Sequence, residues 1–150
     1  PNLIVTRTFS KAYGLAGLRI GYALSHADVA GLLNRVRQPF NVNSVAQAAA
    51  LAALGDEDHL QRCVQRNREG MSRLVAGFDA LGLSYIESVG NFVCVDTGRS
   101  GADVYEALLQ RGIIVRPVAN YGMPNHLRVT VGRADENARF LNALEQVLHD

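Results

Sequence analysis

Apolar and polar positions change their rhythm several times along this chain. Residues 3–5 (Leu-Ile-Val) form a short branched run suited to a buried strand, and residues 18–23 form a second. Residues 26–36 then switch to a helical period, with Val29, Leu32, Leu33 and Val36 on one face and Pro39 just past the end. A polar turn, Asn41-Val42-Asn43-Ser44, leads into an alanine-rich helix over 45–54, a composition suited to close helix packing.

Gly55 ends that helix and Asp56 offers a cap to the next. The next runs to about residue 80, with Leu60, Val64, Met71, Leu74, Val75 and Phe78 as its apolar stripe. Beyond Gly82 the period shortens. Strands are expected at 84–87 and 92–96 around Gly90-Asn91, and a helix at 102–111 ending at Gly112. Two further strands, 113–118 and 127–131, flank a Tyr121-Gly122-Met123-Pro124 loop, and a last helix covers 135–148. Within 127–131, alternation puts Leu127, Val129 and Val131 on one face and leaves Arg128 and Thr130 on the other. The order after Gly82 describes a small α+β unit with helices covering a sheet. A boundary is expected near the start of the long helix, giving residues 1–54 and 55–150.

Composition narrows the function classes. The 150 residues are 48% hydrophobic and 19% charged, which fits a folded chain rather than a disordered one. Fifteen basic residues against 14 acidic ones leave a net charge of +1, with no basic run to suggest nucleic acid or an anionic membrane. Cys63 and Cys94 are far apart and read as buried reduced thiols, and His26, His59, His126 and His149 show no metal-ligand spacing. No apolar run approaches the ~20 residues of a membrane helix, so the cytoplasm is the default location. Pro1 leads almost directly into an apolar run, as expected of a cut through a larger protein.

The chemistry concentrates in Thr8-Phe9-Ser10-Lys11-Ala12-Tyr13-Gly14-Leu15-Ala16-Gly17-Leu18-Arg19-Ile20-Gly21. Hydroxyls at Thr8 and Ser10 flank a lysine between two apolar strands, and Arg19 follows across a glycine-punctuated stretch. A lysine, two hydroxyls and the planar fork of an arginine suit an anion, a phosphate above all. The spacing is neither that of a P-loop nor that of a dinucleotide-binding glycine motif.

This segment, with Arg7 before it and Tyr22 after it, resembles the cofactor-lysine signature of fold type I aminotransferases, and of histidinol-phosphate aminotransferases in particular. The similarity continues through Val36-Arg37-Gln38-Pro39-Phe40-Asn41-Val42-Asn43, Asn91-Phe92-Val93, Gly112-Ile113-Ile114-Val115-Arg116-Pro117 and Leu127-Arg128-Val129-Thr130-Val131-Gly132. It implies an α/β chain: the C-terminal part of the pyridoxal-phosphate (PLP) fold type I. In that reading residues 1–54 are a remnant of the large, mostly parallel-sheet domain, and 55–150 a connecting helix plus the small domain.

The resemblance also implies roles. Lys11 matches the lysine that carries PLP covalently and acts as general base. Arg19 matches the arginine that holds the cofactor phosphate, with Thr8 and Ser10 as further donors. Arg128 matches the small-domain arginine that receives the substrate's anionic end, and Arg116 an arginine that helps bind a substrate phosphate. Asn41 to Ser44 match a turn that approaches the neighbouring subunit's site. The reaction implied is amino-group transfer between L-histidinol phosphate and 2-oxoglutarate, in a cytoplasmic homodimer with small-molecule partners.

The family's aspartate for the pyridine nitrogen, its ring-stacking aromatic and its glycine-rich phosphate turn are absent from these residues. The chain alone is therefore expected to be inactive in transamination, to self-associate or be partly disordered over 1–54, and to keep a foldable unit from about Gly82 onward. Other readings stay open: an aromatic aminotransferase, a phosphothreonine decarboxylase of the same fold, or a non-catalytic small-domain module.

Overall fold

The computed structural model describes residues 2–150, which divide by their contacts into two units, 2–64 and 65–150.

In the first unit, β1 (Ile4–Thr8) pairs antiparallel with β2 (Gly21–Ser25), in a register that sets Thr8 opposite Gly21 and Arg7 opposite Tyr22. Among the described residues this remnant of the sheet is a two-stranded antiparallel ladder. Residues 9–20 turn the chain back without a crossover helix, which is the connection an antiparallel pair permits. The second strand starts later than expected because Ala16–Leu18 wind into a 3-10 turn. Gly21 is required sterically: a Cβ there would lie 2.6 Å from the Arg7 carbonyl oxygen.

Helix α1 (Ala27–Val36) is capped by His26, whose Nδ1 accepts from the Asp28 N–H at 3.3 Å. Helix α2 (Ser44–Leu54) is capped by Asn43, whose Oδ1 accepts from the Ala46 N–H at 2.8 Å. The polar turn expected at 41–44 thus spends one of its amides on starting a helix. Only Ala46 and Ala50 of α2 are buried, and α1 buries nothing. Leu32, Val36, Phe40, Val45 and Leu51 are all exposed in this unit. Helix α3 (Glu57–Ala80) begins where Asp56 Oδ1 accepts from the His59 N–H at 3.0 Å, the cap its sequence offers.

The second unit holds a four-stranded antiparallel sheet in the order β3 (Tyr85–Ile86), β4 (Phe92–Asp96), β6 (Met123–Thr130), β5 (Arg116–Val118). Helices α4 (Gly101–Gln110) and α5 (Ala134–His149) complete it. One core joins them: Val93 and Val95 of β4 and Leu127 and Val129 of β6 pack with Leu74 and Phe78 of α3, Val104 and Leu108 of α4, and Phe140 and Leu144 of α5. This core reaches back to Leu74 in α3, ahead of Gly82, and the second unit by its contacts begins at Gln65. The strand expected at 113–118 is shorter because residues 113–115 leave the ladder, with Ile114 exposed. Both cysteines are free and half-buried rather than buried.

Candidate functional site

The turn between β1 and β2 is built on Phe9, the only buried side chain of that segment. Its ring stacks at a tilt on Tyr13 (5.0 Å between centroids) and on Tyr22 (6.0 Å). Its backbone is fixed at both ends, donating to the Ile20 carbonyl at 3.2 Å and accepting from the Leu15 N–H at 2.9 Å. A closed loop of this kind brings positions 8, 10 and 19 near one another while leaving their side chains outside.

Within it the Arg19 guanidinium reaches the Ser10 hydroxyl (Nη1 to Oγ, 3.5 Å) and the Ala16 carbonyl (2.7 Å). The Thr8 hydroxyl accepts from the Ser10 N–H at 3.0 Å. Arg19 holds this position with a left-handed backbone, φ +52°, a conformation that costs a non-glycine residue roughly 1–2 kcal/mol. Strain of that kind persists only where the surroundings impose it. Lys11 lies next to Ser10, exposed, and enters no ion pair among the described residues. It is also the chain's sole lysine. No Asp or Glu precedes Asp28, so Arg7, Lys11 and Arg19 share a segment without an acidic partner of its own. The arrangement is an uncompensated cationic turn with two hydroxyls, which fits a phosphate dianion.

In the second unit the strand register places Arg116 opposite Arg128, Arg128 opposite Cys94, and Cys94 opposite Ile86. These four residues make one row across the sheet, on the face away from Val93, Val95, Leu127 and Val129. Arg128 is half-buried, its guanidinium carbon 4.9 Å from the centroid of the Phe92 ring. Its Nε is sealed from solvent without a hydrogen-bond partner, as is His126 Nδ1 on the same strand. Burial pushes the Cys94 thiol's pKa up, and the Arg128 charge beside it pulls partly the other way. Among the described residues, then, Arg128 has a buried donor without a partner and faces a second arginine across the ladder.

The structure brings these candidates together in two groups, while the turn at 41–44 lies in neither. Thr8, Ser10 and Arg19 meet in the first unit beside Lys11, and Arg116 and Arg128 meet in the second. Sequence reasoning missed Phe92 and Cys94 as companions of Arg128. The signal was available in part, since residues 92 and 94 share a strand face, but the strand pairing that joins them to residue 128 was not.

The family profile "Aminotransferase class I and II" matches residues 1–144. Histidinol-phosphate aminotransferase 1 of Nitrosococcus oceani is 64% identical over 150 residues, covering 100% of this chain and 40% of that protein. Histidinol-phosphate aminotransferase 2 of Pseudomonas fluorescens is 66% identical over 148 residues, covering 99% and 40%. The chain thus spans about 40% of the length of these curated relatives. Among solved structures, the histidinol-phosphate aminotransferase of Sinorhizobium meliloti in complex with pyridoxal-5'-phosphate superposes with a TM-score of 0.85 at 35% identity, covering 99% of this chain and 42% of that one. The L-threonine-O-3-phosphate decarboxylase of Porphyromonas gingivalis gives 0.85 at 25% identity, covering 99% and 47%. With a profile match over nearly its whole length and the fold to go with it, the chain belongs to the class I and II aminotransferase family.

Proposed function

We propose that this chain supplies the cofactor lysine and the small-domain anion site of a PLP-dependent aminotransferase acting on L-histidinol phosphate and 2-oxoglutarate. The single observation that carries the reading is the turn that sets Ser10 and Arg19 3.5 Å apart beside the chain's sole lysine. The names of the relatives, at 54–66% identity, supply the substrate. A cytoplasmic homodimer belongs to the same reading.

The residues present fit PLP. Its phosphate would be held by the Arg19 guanidinium and the Ser10 and Thr8 hydroxyls, and its aldehyde would meet the Lys11 amine. When bound, PLP supplies an electron sink that lets an amino group leave one carbon skeleton and join another. The chain's own part is positional and acid–base. Arg19 and Ser10 fix where an anionic group sits, which fixes what Lys11 can reach. Lys11 needs its amine unprotonated to react. An unprotonated Lys11 amine can take and return a proton at a substrate carbon. Arg116 and Arg128 together suit a dianion better than a single carboxylate does, which favours a phosphorylated amine as donor.

The test is to mix the chain with PLP, reduce with borohydride, and map the product by mass spectrometry. Stable label on the Lys11 peptide, lost in Lys11→Ala and weakened in Arg19→Gly, supports the reading. Label confined to the N-terminal amine sinks it. Binding of L-histidinol phosphate compared with phosphothreonine then separates the aminotransferase from a decarboxylase of the same fold.

A further inference from the structure

A second group of chemistry-bearing side chains lies outside both clusters, on the first two turns of α3. His59 and Cys63 stand one helical turn apart, with Cys63 Sγ 3.3 Å from His59 Nε2. We propose that this pair is a chelate for a borderline divalent cation of the Zn²⁺ or Co²⁺ type.

The geometry makes the case. Zinc holds thiolate sulfur at ~2.3 Å and imidazole nitrogen at ~2.05 Å in a tetrahedron, which puts the two ligand atoms about 3.5 Å apart. The observed 3.3 Å is close to that bite, so the two ligand atoms already stand at nearly the separation a shared ion needs. Residues at i and i+4 on a helix are neighbours by construction, so the chelate depends on the helix alone and on no tertiary packing. The helix start is itself pinned, since the His59 N–H donates to Asp56 Oδ1 at 3.0 Å. His59 is exposed and Cys63 half-exposed, so a hydrated ion can reach both. Glu57 and Asp58 in the first turn offset the positive end of the helix, which would otherwise repel a cation.

The chemistry balances simply. The cation displaces one proton: Cys63 binds as thiolate and its proton goes to solvent, His59 offers the Nε2 lone pair, and both bonds go to the metal. No group of three metal ligands occurs among the described residues, so water fills the remaining positions. The site is therefore open and exchangeable rather than a closed structural one. A thiolate–imidazole donor pair selects Zn²⁺, Co²⁺ or Cu²⁺ over Mg²⁺ and Ca²⁺.

The experiment is a Co²⁺ titration of the full chain under reducing conditions, followed by the near-ultraviolet thiolate-to-cobalt absorption. Wild type, Cys94→Ser, His59→Ala and Cys63→Ser are compared. A band saturating at one ion per chain is expected in wild type and in Cys94→Ser. It should be absent in Cys63→Ser and should need on the order of tenfold more Co²⁺ in His59→Ala, where one of two ligands is gone. No band in wild type, a band surviving Cys63→Ser, or an unchanged midpoint in His59→Ala would each overturn the proposal. The PLP labelling at Lys11 is independent of all these outcomes.

Discussion

Arg116 and Arg128 face each other across the β5–β6 ladder, two arginines at one register position with no acidic residue in their row. Like charges directly opposite one another destabilise a sheet, by roughly 0.2–1 kcal/mol. The pairing makes physical sense if an anion completes it. Arg116→Gln should therefore raise the thermal midpoint slightly at low ionic strength. The same substitution should blunt the rise that inorganic phosphate gives the wild-type chain. Thermal melts with and without phosphate check both; a variant that melts lower and responds normally would remove the anion from the argument.

Arg19 combines a functional side chain with a backbone that glycine would prefer. Arg19→Gly should cost little or no stability, since the loss of side-chain contacts is offset by relief of a left-handed strain of roughly 1–2 kcal/mol. It should nevertheless lower the yield of borohydride-stable label on Lys11, because the phosphate loses its guanidinium. Amide hydrogen exchange of β1 and β2 reads the first effect and mass spectrometry the second. Arg19→Lys keeps the charge without the fork and should fall between the two in labelling.

How much of this was legible in the sequence depends on how local the cause is. Helix starts came through well, because caps such as Asp56 lie within a few residues of the N–H they satisfy. Alternation alone placed Arg128 away from the core, and the burial of Leu127 and Val129 agrees. The motif around Lys11 pointed to an anion before any strand was paired. What stayed hidden were relationships set by register between distant strands: Cys94 beside Arg128, and Arg116 opposite it. A shift of one residue would send each of these to the other face, and nothing within a single strand fixes the choice. The antiparallel hairpin of β1 and β2 was hidden for a similar reason, since the apolar runs that make it say nothing of direction.

Cys94 offers a check on the row. Its pKa is raised by burial and held down in part by Arg128. A raised thiol pKa means less thiolate at a given pH, so iodoacetamide at mildly alkaline pH should label Cys94 more slowly in the native chain than in urea. The sign for stability follows: the neutral thiol's contribution is complete below the unfolded pKa and is lost as pH climbs through the higher folded one. Arg128→Gln removes the opposing charge and should slow the native reaction further. Faster labelling in that variant would mean that Arg128 shields the sulfur sterically rather than acting through its charge.

Phe78 is fully buried and packs edge-on against Phe140, with ring centroids 6.2 Å apart. Phe78→Ala should cost about 3–5 kcal/mol, most of what a unit this small has to spare. Urea unfolding of the second unit measures it. Ile114→Ser, on an exposed side chain outside the ladder, should stay within about 0.5 kcal/mol of wild type.

Two helical glycines should respond oppositely to the same substitution. At Gly31 in α1 an added Cβ would meet nothing within 4 Å, so Gly31→Ala should stabilise that helix by up to about 1 kcal/mol through propensity alone. At Gly70 in α3 the Cβ would collide with Val131 Cγ1 and lie 3.0 Å from Asn137 Nδ2. Asn137 is buried and brackets Gly132, accepting from its N–H at 2.9 Å and donating to its carbonyl at 3.1 Å. That bracket ties the exit of β6 to α5, so displacing it would strand buried polar atoms at about 1–3 kcal/mol. The loss outweighs the helix gain, and Gly70→Ala should be destabilising. Because the substitutions fall in different units, the readout is amide exchange in α1 for one and around β6 and α5 for the other. If Gly70→Ala protected β6 instead, Val131 and Asn137 would have room to shift, and the close approach of α3 would not be what fixes the end of the strand carrying Arg128.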